Sequence, residues 1–277
     1  MNRITLAIFL AAFLAACGDA QRGDSGAESQ ATAEQAGESA GGQSDEGQTE
    51  GSMGSGETDQ SSGADMPDLA TDNVAFLERL GLIRGHLFAG NALYQQGETE
   101  MSATHMKHPR DELYAGLVPA IEARGLSTFD AELSALAEAV ESGAESAEVE
   151  QAWRELDEAI AAAERGVDAS AREQFLAIAG LLDTSAEEYK VGVFEGMVED
   201  VHEYQDAWGF QQIAFKRVGQ IEAETDAERS MKAEAAVTVS SLDDLWPNLD
   251  PAGPVDGDAG RIVSAAERIR SAASASD

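Results

Sequence analysis

Residues 201–224 read VHEYQDAWGFQQIAFKRVGQIEAE. Val201, Tyr204, Trp208, Phe215 and Val218 recur at steps of three, four and seven, the spacing that lines side chains along one face of an α-helix. The stretch predicts one long helix, starting near Asp200, with a buried stripe. The chain beyond residue 72 is written in the same way. Ala, Glu and Leu dominate it, and β-branched runs of period two are absent, which argues against a sheet. About 200 residues follow Asp72, enough for one domain with a real core. The fold class is therefore all-α, an antiparallel helical bundle with short loops.

The other helices follow from the same spacing. Over 72–96, Phe76, Leu80, Ile83, Leu87 and Tyr94 point inward and Gly97 is the stop. Gly81, Gly85 and Ala89, four apart, leave one side of this helix nearly bare. Glycine costs roughly 1 kcal/mol in a helix interior, so the stripe implies close approach by another backbone or a ligand. Pro109 reads as the first residue of a helix, where its missing N–H is harmless. That helix stops at Arg124-Gly125, with a kink at Pro119. Further helices are expected over about 128–142, 146–165 and 169–182. Thr184-Ser-Ala-Glu187 reads as a capping box that opens another, with Gly196 ending it and Met197 packing back. LWPNLDPAGPV, 245–255, is a proline-punctuated connection, and 261–272 makes a short last helix that docks Ile262 and Ile269. The bundle is assigned to 73–250. The end of the connection and the docked helix take 251–277.

The N-terminus carries other information. MNRITLAIFLAAFLAACGD has a basic residue, Arg3, and then an apolar run over 4–16 that is too short to span a bilayer in a mature protein. This is a secretory signal. Leu14-Ala15-Ala16-Cys17 resembles the lipobox of bacterial lipoproteins, which implies cleavage before Cys17 and lipid on its thiol and amine. Residues 1–16 are then the signal peptide and 17–72 a lipid-anchored linker. Cys17 is the single cysteine, so no internal disulfide can form. Residues 18–72 hold thirteen acids, one arginine, and no aromatic or lysine. Such a chain cannot bury enough apolar surface to offset its ordering entropy, and a disordered tether is expected, spanning roughly 40 Å. The net charge of −34 argues against nucleic acid and against docking on anionic lipid. It also concentrates cations around the chain.

The chain has four histidines, and three of them fall within 86–108. His105, His108 and Glu112 form H-x-x-H-x-x-x-E, and His86 lies upstream beside the glycine stripe. On the long helix, His202, Glu203 and Asp206 give H-E-x-x-D, with His202 and Asp206 sharing a face. Imidazole with carboxylate suits iron, zinc, copper or manganese, and bundles build such sites between facing helices. The candidate ligands are His86, His105, His108 and Glu112 on one side, Glu203 and Asp206 on the other. Histidines serving only as core or cap residues remain the competing reading, since no complete metal motif is present.

GHLFAGNALY, HPRDELY, EYQDAWGF and LWPNLDPAGPV together resemble uncharacterised exported α-helical proteins of proteobacteria, lipoproteins among them, over roughly residues 74–272. EYKVGVFEGMVEDVHEYQDAWGF is similar to the helical periplasmic extension of bacterial high-affinity iron permeases, a similarity that maps onto Glu203 and Asp206. A further similarity is to imelysin-like proteins linked to iron uptake, although Gly85-His86-Leu87-Phe88-Ala89-Gly90 does not meet their G-x-H-x-x-E pattern. These resemblances imply an envelope lipoprotein of the outer membrane with a periplasm-facing binding domain. It would bind a transition metal, iron first, as an accessory of metal uptake or homeostasis. The rival expectation is a structural or interaction module of an envelope assembly, without metal. The expected partners are the membrane, through lipid on Cys17, and an envelope or transport protein. No G-x-S-x-G is present and the one cysteine is taken by lipid, so no enzyme is expected.

Overall fold

The computed structural model describes residues 68–275, apart from the side chains of His108, Asp111 and Glu112. The leader, Cys17 and nearly all of the acidic linker lie outside the described residues. Helix α1 spans Asn73–Gln96. Asp72 caps it by accepting a hydrogen bond from the Ala75 amide at 3.0 Å, and Gly97 closes it at φ 88°. These are the expected ends, set by a short acceptor side chain and by the one residue type that adopts positive φ without strain.

Pro109 does not open a helix. Helix α2, Thr99–His108, precedes it and runs into a π-helical turn, Pro109–Tyr114, that leads directly into α3, Ala115–Ala123. A proline ring strikes the carbonyl four residues earlier in an α-helix; here that is His105. The wider π register is one of the devices by which a helix takes up such a residue without breaking. Helices α4, Asp130–Glu141, and α5, Ser146–Arg165, follow close to the expected bounds.

Helix α6 runs unbroken over Ala171–Gly192. Its capping box is Ser170 with Glu173, not Thr184 with Glu187. Thr184 lies mid-helix and donates its hydroxyl to the Gly180 carbonyl at 3.4 Å, while Leu181, Leu182, Ser185, Ala186 and Tyr189 carry one buried face past it. A two-stranded hairpin then follows, β1 Val193–Phe194 and β2 Met197–Val198, paired Phe194 to Met197. Its turn, Glu195-Gly196, has φ of 50° and 77°, both positive as the tightest hairpin turns require. Met197 is 46% exposed and does not pack back.

Helix α7, Val201–Gln220, starts at the Asp200 cap. It is buried nearly all round, by Tyr204, Phe210, Ile213, Ala214 and Val218 but also by Gln205, Asp206, Gln211 and Arg217. Phe215, expected inside, is 44% exposed, and Val201 and Trp208 are half-buried. A single-stripe reading fails for a helix with neighbours on several sides. Helix α8, Asp226–Ser240, is opened by a capping box of Thr225 and Glu228. Helix α9, Gly260–Ser274, buries Ile262 and Ile269 against α6 and α8. Among the described residues no helix is long and apolar enough to cross a membrane.

Two hydrophobic clusters result. One lies among α6, α7, α8 and α9, around Phe175, Tyr189, Tyr204 and Phe210. The other lies among α1 to α5, around Phe76, Phe129, Leu133 and Leu156. Helix α1 joins them by crossing α6 and α7. At the α1–α7 crossing a Cβ on Gly209 would overlap the Gly85 carbonyl oxygen, and a Cβ on Gly85 would overlap the Phe210 ring. The bare stripe of α1 is thus filled by its neighbours: the α7 backbone and the Phe210 ring at Gly85, and the Arg217 and Leu181 side chains at Gly81. An ion network adds a second tie. Arg84 of α1, 1% exposed, reaches Asp157 at 2.7 Å and Glu164 at 2.8 Å on α5, and Glu164 also takes Arg217 of α7 at 2.5 Å.

Candidate metal centre

The close α1–α7 crossing sets the site. His86 follows Gly85 on α1, and Asp206 precedes Gly209 by one turn on α7. His86 Nδ1 lies 2.6 Å from Asp206 Oδ1. The same oxygen lies 2.8 Å from His105 Nδ1, brought in by α2. All three residues are buried, and their ligand-capable atoms lie within 4.8 Å of one another. Two imidazoles and one carboxylate thus converge from three helices.

The hydrogen bonds fix the protons. Gln205 donates its amide to the Leu249 carbonyl at 2.9 Å, so its own oxygen faces His105 Nε2 at 2.8 Å. An ionised carboxylate only accepts, so His86 and His105 both donate from Nδ1. His105 thus has an acceptor oxygen at each ring nitrogen, an arrangement that favours its protonated form. Burial alone would lower its pKa. The hydrogen bond and charge of Asp206 outweigh that, with help from Gln205 and the charge of Glu203, and raise it. Burial alone would raise the pKa of Asp206, but the bonds from His105 and His86 prevail and hold it far below the carboxylate range.

The other expected ligands separate into two groups. The side chains of His108 and Glu112 lie outside the described ones; Cys17, expected to carry lipid and not metal, lies outside the described residues. Glu203 is half-buried one turn before Asp206 and shares a hydrogen bond with Glu188 of α6. Burial, and then that bond and the Glu203 charge, push the Glu188 carboxyl up to about 8. His202, noted in the sequence only for sharing a face with Asp206, has its ring centroid 5.5 Å from that of His105. Gln205 was not anticipated. A neutral amide carries no ligand signal in a sequence, and its role depends on the connection after α8, whose Leu249 carbonyl holds it.

The donor set fits a cation. Ligand atoms about 2.1 Å from one tetrahedral ion sit about 3.4 Å apart, so Asp206 Oδ1 and the two Nδ1 atoms need open by less than about 1 Å. With both Nδ1 atoms on an ion, the His105 Nε2–H bond to Gln205 would remain. That is the outer hydrogen bond which orients a ligating histidine. A cavity of about 960 Å³ lies elsewhere, lined by Glu164, Asp168, Gln174, Arg217 and Glu228 among others. Its lining holds no histidine.

Residues 167–276 match the family described as iron permease-associated 4-helix bundle domain. The matched span takes in α6, the hairpin, α7, α8 and α9, the helices around the first hydrophobic cluster. It includes His202, Glu203, Gln205 and Asp206 but neither His86 nor His105. No curated protein and no solved structure matches the chain.

Proposed function

We propose that the chain is an accessory of iron uptake, binding a divalent transition metal through His86, His105 and Asp206. The observation that carries this reading is the buried convergence of two imidazoles on one carboxylate. Two histidines and one carboxylate are the ligand set of many iron(II) sites, with further positions left open. The match to an iron permease-associated domain supports iron as the cargo. For an ion to take both Nδ1 atoms, the proton on each must leave that nitrogen; a neutral His86 keeps its proton by carrying it on Nε2, and His105 keeps the one on Nε2 that faces Gln205. The acidic linker and lipid on Cys17 complete the proposal, tethering the domain at the outer membrane and facing the periplasm, with an envelope or transport protein as its partner. Binding and delivery need no bond-making chemistry, so no enzymatic role is assigned.

The test is titration of the metal-stripped full chain with anaerobic iron(II) and with zinc, beside Asp206→Asn. The expected result is binding that weakens by at least about 100-fold in the variant, since loss even of an outer partner costs about 10- to 100-fold. Absent binding, or equal affinity in both proteins, would sink the reading.

One observation favours the interaction-module reading. Phe194 and Met197 pair across the hairpin, 59% and 46% exposed, and Val191 beside them is 59% exposed. Exposed apolar groups in a cluster mark contact surfaces, and a metal-binding accessory also needs a surface for its partner.

A further inference from the structure

We propose that His202 is a fourth ligand of the same centre, turning onto the ion when it binds. The inference rests on the three-residue reading above and adds a residue that reading leaves out. His202 is half-buried overall, yet its Nδ1 is fully buried and has no hydrogen-bond partner. A buried imidazole nitrogen without a partner is costly and calls for a reason. Its neighbours supply one. His202 stands one turn before Asp206 on α7, so the two side chains share a face. Its ring centroid is 5.5 Å from that of His105. Two imidazoles on one tetrahedral ion have centroids about 5 Å apart, so the two rings already stand at ligand spacing. His202 is not within the 4.8 Å group formed by the other three. A side-chain rotation in the first turn of α7 would bring its nitrogen in. Three residues give an ion an open set, and a fourth that arrives on binding closes it from the half-exposed side.

The experiment compares the metal-stripped full chain with His202→Ala and Asp206→Asn, titrated with zinc and with anaerobic iron(II). His202→Ala should bind at least about 10-fold more weakly than the native chain, the smallest loss that even outer partners of metal ligands show. Melting of the metal-free variant should fall no further than loss of a half-buried ring's contact with His105 explains, because its Nδ1 makes no bond there. In the native chain, the ¹⁵N signal of the His202 ring should shift on adding zinc as a ligated nitrogen does. Native binding with equal affinity in His202→Ala, or a His202 signal that zinc leaves in place, overturns this proposal and leaves the three-residue centre standing. No native binding removes both. A His202→Ala chain that fails to fold moves the decision to the nitrogen signal alone.

Discussion

Asp206 Oδ1 takes a hydrogen bond from each of two buried imidazoles, and the pH dependence of the fold follows from that atom. The folded pKa of Asp206 lies below 3.8, so its contribution to stability is present above that value and lost as pH falls through the folded pKa. The folded pKa of His105 lies above 6.5, so its contribution is full below 6.5 and lost as pH rises through the folded value. The pair should stabilise most between about pH 4 and 6.5. Asp206→Asn should cost about 3 kcal/mol in that window, the scale for breaking a buried pair, and less at alkaline pH. Urea unfolding of both metal-free proteins across that range checks it. A loss that does not vary with pH would mean that the pair is not ionised. The residue types were legible: His86, His105 and Asp206 are the kind of groups that hold a cation, and they stand out in a chain with four histidines. Their arrangement was not, because nothing local links residue 86 to residue 206. Glu203 has the right chemistry, but it pairs with Glu188 of α6, a contact that the spacing along α7 does not reveal.

At the scale of elements, the α1–α7 crossing does the positioning. Gly85 and Gly209 meet backbone to backbone, and the helices can come no closer. Gly209→Ala should force them apart, costing about 1–3 kcal/mol as overpacking does. Because His86 and Asp206 flank the crossing, the same change should also weaken cation binding. Thermal unfolding and a zinc titration of this variant test both. A stable variant with native affinity would show that the crossing does not set the site. Helix ends written in caps, such as Asp72, Gly97 and Asp200, were readable because the signal lies within a few residues of the event. The turn at Pro109 was not. A proline ring demands relief, but breaking, kinking and widening to a π turn all provide it, and the surrounding packing selects among them. Thr184 misled for a similar reason: its capping pattern is local, whereas the face it interrupts runs the length of α6. The spacing of 226–240 barely marks α8, whose buried side is only Met231, Ala235, Thr238 and Val239.

For the whole molecule, the proposed site lies where three helices from both hydrophobic clusters meet, so binding there would be linked to folding. A ligand that binds only the folded chain stabilises it by about 2.7 kcal/mol at a hundred times its Kd. The melting temperature should therefore rise with added iron(II) or zinc and return when a chelator strips the ion. It should stay flat in Asp206→Asn. Melting that ignores the ion in the native chain would place any binding outside the joint. The all-α class was legible from composition and period alone, because every helix must turn an apolar face inward whatever its neighbours. The division into two clusters was not, since it rests on which faces meet.

The imidazoles and the carboxylate are separated by 101 and 120 residues of chain. An extended polypeptide offers a passing ion one of these groups at a time, never the set. The cluster thus exists only once α7 has closed against α1 and α2. On the proposed function, the metal would then be drawn from the supply in the compartment where the chain folds, which need not be the one in which it is synthesised.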